Sequence, residues 1–276
     1  MVTLTPNNAT KVLRKYGGIE AKPVSATAED RGLALGIYGP GGVGKTTLSA
    51  TITDSPLGTP ALYLDARGNP HVISSYGDKI DVLPITKFAQ IEQIRQDILK
   101  DRDLIYKTVI LDNVTEMWSM DLRDRYGPVG AVDWTKHAAT TSDLLQLVRN
   151  WYDLSTVGPK LNVVFVFQEA PEQRTILNQE VQRSEVAFNK ALQSHIPTLI
   201  NFLGRLYVEG NMPPYRRLLD FRPVETVHQS KLQVDPNDEY ARQMPHEVYN
   251  PSLASILDTL RGQQAWPTAK HSKTGK

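Results

Sequence analysis

The sequence predicts an α/β fold, a mostly parallel sheet flanked by helices with a β-hairpin extension toward the carboxyl end. Three observations carry the prediction. Short apolar runs at 32–38, 61–65, 106–112 and 161–167 read as buried strands, and 79–85 as a further strand. Between them, Phe88, Ile91, Ile94 and Ile98, and later Leu144, Leu147, Val148, Trp151 and Leu154, recur at helical spacing. The third is Gly39-Pro40-Gly41-Gly42-Val43-Gly44-Lys45-Thr46-Thr47, which matches the phosphate-binding loop G-x-x-x-x-G-K-[ST] at every fixed position and stands between a strand and a helix.

Residues 1–31 are polar and mixed, with no sustained period, and read as an N-terminal arm. The strand 32–38 then delivers the loop. Its glycines let backbone N–H groups converge on one concavity, and the helix start adds positive potential, so an anion is held there. Lys45 is placed to reach the β- and γ-phosphates and the Thr46 hydroxyl to hold Mg²⁺, which makes ATP and Mg²⁺ the expected ligands. A break at 55–60 leads into the strand 61–65, and Arg67-Gly68-Asn69-Pro70 carries turn chemistry.

The run Tyr106 to Asp112 ends its β-branched core in an aspartate, the Walker B pattern, which sets Asp112 beside Thr46 as the second metal-orienting group. Residues 113–136 hold Trp118, Arg123, Arg125, Trp134 and Lys136 around a glycine-containing break. The strand 161–167 stops at Gln168, and 169–190 reads as a long polar connection. Ala187 to Leu203 is expected to be helix, with Pro197 kinking it or ending a turn. Residues 204–210 and 216–221 alternate as a hairpin, and Pro251 opens a short helix capped by Asn250. The tail 263–276 is polar and basic and is expected to be flexible.

Bulk properties exclude several chemistries. In 276 residues, 31 Lys and Arg stand against 30 Asp and Glu, so no global basic excess advertises nucleic acid. The absence of cysteine removes disulfides, thiolate zinc sites and cysteine nucleophiles. The histidines lack i,i+4 pairing, and no G-x-S-x-G occurs. No apolar run approaches the roughly 18 residues of a membrane span, and the first residues lack the pattern of a signal peptide. A cytoplasmic protein without a membrane partner is expected.

The phosphate loop, Leu64-Asp65-Ala66, the Asp112 strand and the Gln168 strand come in the order found in RecA-like P-loop ATPases, which the chain resembles over residues 32–262. With Gly204-Arg205-Leu206-Tyr207-Val208 and the short terminal helix, it looks closer still to the small phage-encoded RecA-like proteins of single-strand annealing and recombination. The resemblance implies an ATPase working as a homo-oligomer, ring or filament, on single-stranded DNA, with a single-strand-binding protein as a further partner. It implies that Gln168 senses the γ-phosphate and passes its presence to 169–190, which with the segment near 118–136 would contact DNA. It also makes Lys231, within Val227 to Leu232, a finger reaching into a neighbouring subunit's ATP. One departure stands out. Arg67 follows Asp65-Ala66 where the recombinases place their water-activating glutamate, and a guanidinium is no base. Either Glu116, one helical turn beyond Asp112, takes that part or hydrolysis is slow. Two other readings of the loop are a nucleotide or small-molecule kinase and an ATP-binding switch with little turnover.

Overall fold

The computed structural model describes residues 15–16, 19–20, 31–68, 70–127, 134–176, 179–210, 215–223, 230–232, 239 and 241–266. The chain divides into two units, Met1–Arg31 and Gly32–Lys276. In the first, β1 (Lys15–Tyr16) and β2 (Ile19–Glu20) pair antiparallel.

The second unit is built on a nine-stranded sheet of described strands. In chain order it takes β3 (Ala34–Tyr38), α1 (Lys45–Ala50), β4 (Ala61–Asp65), β5 (Ile80–Pro84), α2 (Phe88–Lys100) and β6 (Thr108–Asp112). Then come α3 (Val114–Tyr126), α4 (Trp134–Thr156), β7 (Asn162–Val166) and the hairpin of β8 (Glu169–Ile176) with β9 (Gln179–Val186). The chain closes with α5 (Lys190–Leu199), β10 (Phe202–Glu209), β11 (Arg216–Asp220), β12 (Lys231–Leu232), β13 (Glu247–Tyr249) and α6 (Leu253–Leu260). The sheet order is β13-β11-β10-β3-β7-β6-β4-β5, with β12 on the free part of β10. From β10 to β5 all neighbours are parallel, while β11, β12 and β13 join antiparallel. This is a RecA-like P-loop fold, with one strand, β7, between the loop's strand and the Asp112 strand.

The strands alternate between two cores because successive side chains leave a strand on opposite faces. Ala34, Leu62, Leu64, Val109, Leu111, Val163 and Phe165 pack on one side with Ile91, Met117, Val148 and Trp151 of α2, α3 and α4. Leu35, Ile37, Tyr63, Ile110, Val164 and Val166 face the other side, against Leu48, Ile256 and Leu257 of α1 and α6. Burial on both faces explains why these strands read as unbroken apolar runs.

Four expectations change. Residues 169–176 and 179–186 pair as an antiparallel β-hairpin, not a plain polar connection; the register sets Glu172 opposite Arg183 and Arg174 opposite Val181. At its base Val186 is buried in the core that also holds Phe165 and Phe167. Of the segment near 118–136, the part through Tyr126 is helix α3, with Arg123 paired to Glu116 and Arg125 to Asp121 and Asp143. Trp118 stacks edge-on against Phe188 at 5.7 Å, which makes it an anchor of the fold. The helix expected over 187–203 is Lys190–Leu199, capped by Asn189 Oδ1 on Leu192 N at 3.0 Å, with Pro197 inside its last turn and Phe202 already in β10. At the terminal helix, Pro251 and Asn250 precede the start. Leu253 N donates to Thr51 Oγ1 (2.8 Å), so the cap comes from a residue far away in sequence.

The expected arm lies largely outside the described residues, as do 128–133 and 224–229. Of the expected tail, 263–266 is described, and Trp266 packs against the α1–α6 core; 267–276 is outside. No described helix is long and apolar enough to cross a membrane.

Candidate functional site

The site lies where parallel strands end side by side. Register places Ile37 of β3, Val166 of β7, Asp112 of β6 and Asp65 of β4 in one row, so whatever follows each residue gathers at the same edge. After β3 comes the glycine loop. Gly39 is required by close approach, since a Cβ there would stand 2.0 Å from the Leu206 carbonyl oxygen. Gly44, at φ 97°, takes a left-handed conformation that costs glycine little, and it hands the chain to α1. Val43 is buried in the core and anchors the loop, whereas Pro40, Gly41, Gly42 and Thr47 are exposed around its rim. Arg217 of β11 braces the loop from outside, its Nε donating to Val43 O at 3.1 Å.

Lys45 is 8% exposed and donates from Nζ to Gly39 O and Pro40 O, both at 2.7 Å. Burial lowers its pKa and Arg67 adds to the effect, while Asp112 and Glu169 oppose it. The Thr46 hydroxyl donates to Asp112 Oδ2 at 2.5 Å, and the Tyr63 hydroxyl donates to the same oxygen at 2.9 Å. Burial pushes the Asp112 carboxyl up; the Thr46 and Tyr63 bonds and the charges of Lys45 and Arg67 hold it back. The Tyr63 phenol is raised by burial first and by Asp112 next, so it stays a proton donor. The peptide between Asp112 and Asn113 is cis.

Gln168, just past β7, is fixed at both its ends. Its N–H donates to Thr115 Oγ1 (3.0 Å). Its amide oxygen, turned toward the donors around it, accepts from Asn113 Nδ2 at 3.2 Å and from the Arg67 guanidinium. Arg67 in turn stands on a tight turn. Asp65 Oδ1 accepts from Arg67 N and Gly68 N, each at 2.9 Å, and Ala66 N donates to Asp112 O.

Lys45, Thr46, Asp112, Gln168 and Arg67 are thus brought together. Glu116 is not free beside them: its carboxylate accepts from Arg123 Nη2 at 3.0 Å across α3. Lys231 donates to Pro197 O at 3.3 Å and has no hydrogen bond to the loop of its own chain.

The donor set suits a small hard cation. Among the described residues no three His, Asp or Glu side chains gather as a metal cage. Mg²⁺ needs none, since it is ordinarily held by one or two protein oxygens together with nucleotide phosphates and water. Thr46 Oγ1 and Asp112 would supply those oxygens. Asp65 Oδ2, at the neighbouring strand end, is buried without a hydrogen-bond partner.

Tyr63, Asn113 and Arg217 also take part in the site without belonging to any motif of the sequence. For Tyr63 a signal existed: a tyrosine inside the aliphatic run Ala61-Leu62-Tyr63-Leu64 buries a hydroxyl that must find a partner. Arg217 offered none, because its contact depends on how a distant hairpin strand lies over the loop.

A family model described as an AAA domain matches residues 31–240. Among solved structures, the RadB recombinase is similar with a TM-score of 0.42 at 19% identity, over 69% of this chain and 80% of that one. A KaiC-like protein from Pyrococcus horikoshii OT3 reaches a TM-score of 0.41 at 14% identity, over 80% of this chain and 90% of that one. No curated protein matches the sequence.

Proposed function

The chain belongs to the AAA-domain family of P-loop proteins, and from that premise we propose that it is a Mg·ATP-dependent ATPase. It would act on single-stranded DNA as a homo-oligomer, in recombination or annealing of the phage type. P-loop domains of this family bind nucleotides and, as a class, hydrolyse them. The observation that carries the finer reading is the Thr46–Asp112 pair at 2.5 Å beside the Lys45 ammonium, with Gln168 just past the end of the strand between the two motif strands. Lys45 neutralises phosphate charge, Thr46 and Asp112 hold Mg²⁺, and Gln168 meets the γ-phosphate. When bound, the metal polarises the terminal phosphate and offsets its charge.

The reading extends to DNA through position. Gln168 is followed at once by Glu169, the first residue of the β8–β9 hairpin, so a change at its amide reaches the hairpin through one peptide bond. Slow turnover is expected, because the Glu116 carboxylate is occupied by Arg123 and Arg67 stands where a base would serve. Lys231 keeps its proposed role only toward a neighbouring protomer's nucleotide.

Tyr63→Phe tests how the metal-binding carboxylate is positioned. It removes the 2.9 Å bond to Asp112 Oδ2 and is expected to weaken the Mg²⁺-dependent part of ATP affinity about tenfold, as one hydrogen bond to a charged group implies. ATP affinity in EDTA should stay within twofold. Equal losses with and without Mg²⁺ would mean that Tyr63 acts on the fold alone.

The function itself is tested by measuring ATP hydrolysis and molar mass in solution, with no DNA, with single strands and with duplex. Stimulation by single strands, with a larger assembly in Mg·ATP, is expected. A hydrolysis rate, DNA affinity and mass all indifferent to one another would overturn the DNA reading, and phosphoryl transfer to a nucleoside monophosphate would replace it with a kinase.

A further inference from the structure

We propose that Arg67 is the ligand through which this chain recognises the terminal phosphate of its own nucleotide, held ready by a hydrogen bond to Gln168 and released from it when ATP binds. The inference rests on the ATP-binding reading above and goes beyond it, since there Arg67 counts only as a missing glutamate.

The placement of Arg67 is rigid where rigidity matters. The backbone is pinned by the Asp65 carboxylate at 2.9 Å to both Arg67 N and Gly68 N, and the turn is tied to β6 by Ala66 N on Asp112 O at 2.9 Å. Asp65 and Asp112 are register neighbours, so the turn stands directly beside the carboxylate that pairs with Thr46. The side chain is exposed, and among the described residues it forms no ion pair with a carboxylate. Its charge is nonetheless felt at the site: it disfavours protonation of both Lys45 and Asp112.

An arginine without an acid in this position is the arrangement of a cation waiting for an anion. Its partner now is a neutral amide oxygen, with Nη1 at 3.0 Å from Gln168. Phosphate oxygens are stronger acceptors for a guanidinium than an amide, and they match its fork. A γ-phosphate held by Lys45 would therefore take the guanidinium from Gln168, whereas ADP offers nothing at that place. The released Gln168 amide keeps Asn113 Nδ2 and its own N–H bond to Thr115, and stands one residue before the hairpin begins at Glu169. Recognition of the terminal phosphate and loss of the Arg67 contact to Gln168, the residue before the hairpin, are then one exchange of hydrogen bonds.

The test is calorimetric titration of the full chain with Mg²⁺ and either a non-hydrolysable ATP analogue or ADP. For Arg67→Ala, affinity for the ATP analogue should fall about ten- to a hundredfold, the worth of one charge-assisted contact, while ADP affinity stays within twofold. Arg67→Lys should recover part of the loss, because a point charge replaces a fork. The difference should not vary with protein concentration, as a contact within one chain requires. Arg67 is exposed, so the melting temperatures of both variants should match wild type and exclude misfolding as the cause. Equal losses for the two nucleotides, or none for either, would overturn the proposal while leaving ATP binding intact. Wild-type protein that binds neither nucleotide would overturn both.

Discussion

Lys45→Ala is expected to lower the affinity for Mg·ATP by about a hundredfold or more. The ammonium is nearly buried, and its two 2.7 Å bonds to Gly39 O and Pro40 O hold it at the mouth of the loop, within the span the phosphates would occupy. Two charge-assisted bonds to phosphate at roughly 1.5 kcal/mol each give that factor. The fold should tolerate the change. Pro40 is exposed to water, and Gly39 O keeps a second donor in Glu169 N at 3.2 Å. Calorimetry and thermal unfolding on the same samples separate the two effects. Lost binding at an unchanged melting temperature is the expected pair of results, and affinity retained within tenfold would remove Lys45 from the site.

Glu169→Ala is expected to cost about 3 kcal/mol of stability. Glu169 and Arg205 form a two-pronged pair, Nε to Oε2 at 3.0 Å and Nη2 to Oε1 at 2.9 Å, with side chains only 10% and 18% exposed. Arg205 also lies over the Tyr207 ring, its Cζ 4.9 Å from the centroid. Removing the acid strands a largely desolvated guanidinium, and broken buried pairs cost about 3–5 kcal/mol; the lower figure applies because Arg205 keeps some water. For a domain of this size that is a fall of roughly 6–12 °C in melting temperature. The double variant Glu169→Leu with Arg205→Met should recover part of it, since the stranded charge is gone. A loss below about 1 kcal/mol would class the pair with surface ion pairs. Because Glu169 opens the hairpin and its N–H reaches Gly39, this pair joins the loop, the hairpin and β10 in one knot.

The central strands and the motif residues were legible because their signals are local. A strand buried on both faces must be apolar throughout, and a phosphate loop must spell its glycines, lysine and threonine in order. Lys45, Thr46, Asp112 and Gln168 accordingly lie together as expected from their strand ends. What escaped was set by contacts between distant parts. The hairpin of 169–176 and 179–186 carries Pro171 and charged residues that reduce its strand signal, and only antiparallel pairing makes it a ribbon. The terminal helix begins at Leu253 because Thr51, some two hundred residues earlier, supplies its cap. Arg67 reads as a lost catalytic glutamate in the sequence; its meaning changes only when Gln168, a hundred residues on, is seen to hold its guanidinium.

The most direct measurement is titration of the wild-type chain, by calorimetry in excess Mg²⁺, with a non-hydrolysable ATP analogue, ADP, AMP and adenosine. Saturable binding at one site per chain is expected, with affinity rising along the series from adenosine to the triphosphate and depending on Mg²⁺ for the last steps. Absence of binding at millimolar triphosphate, or equal affinity for adenosine and the triphosphate, would contradict it.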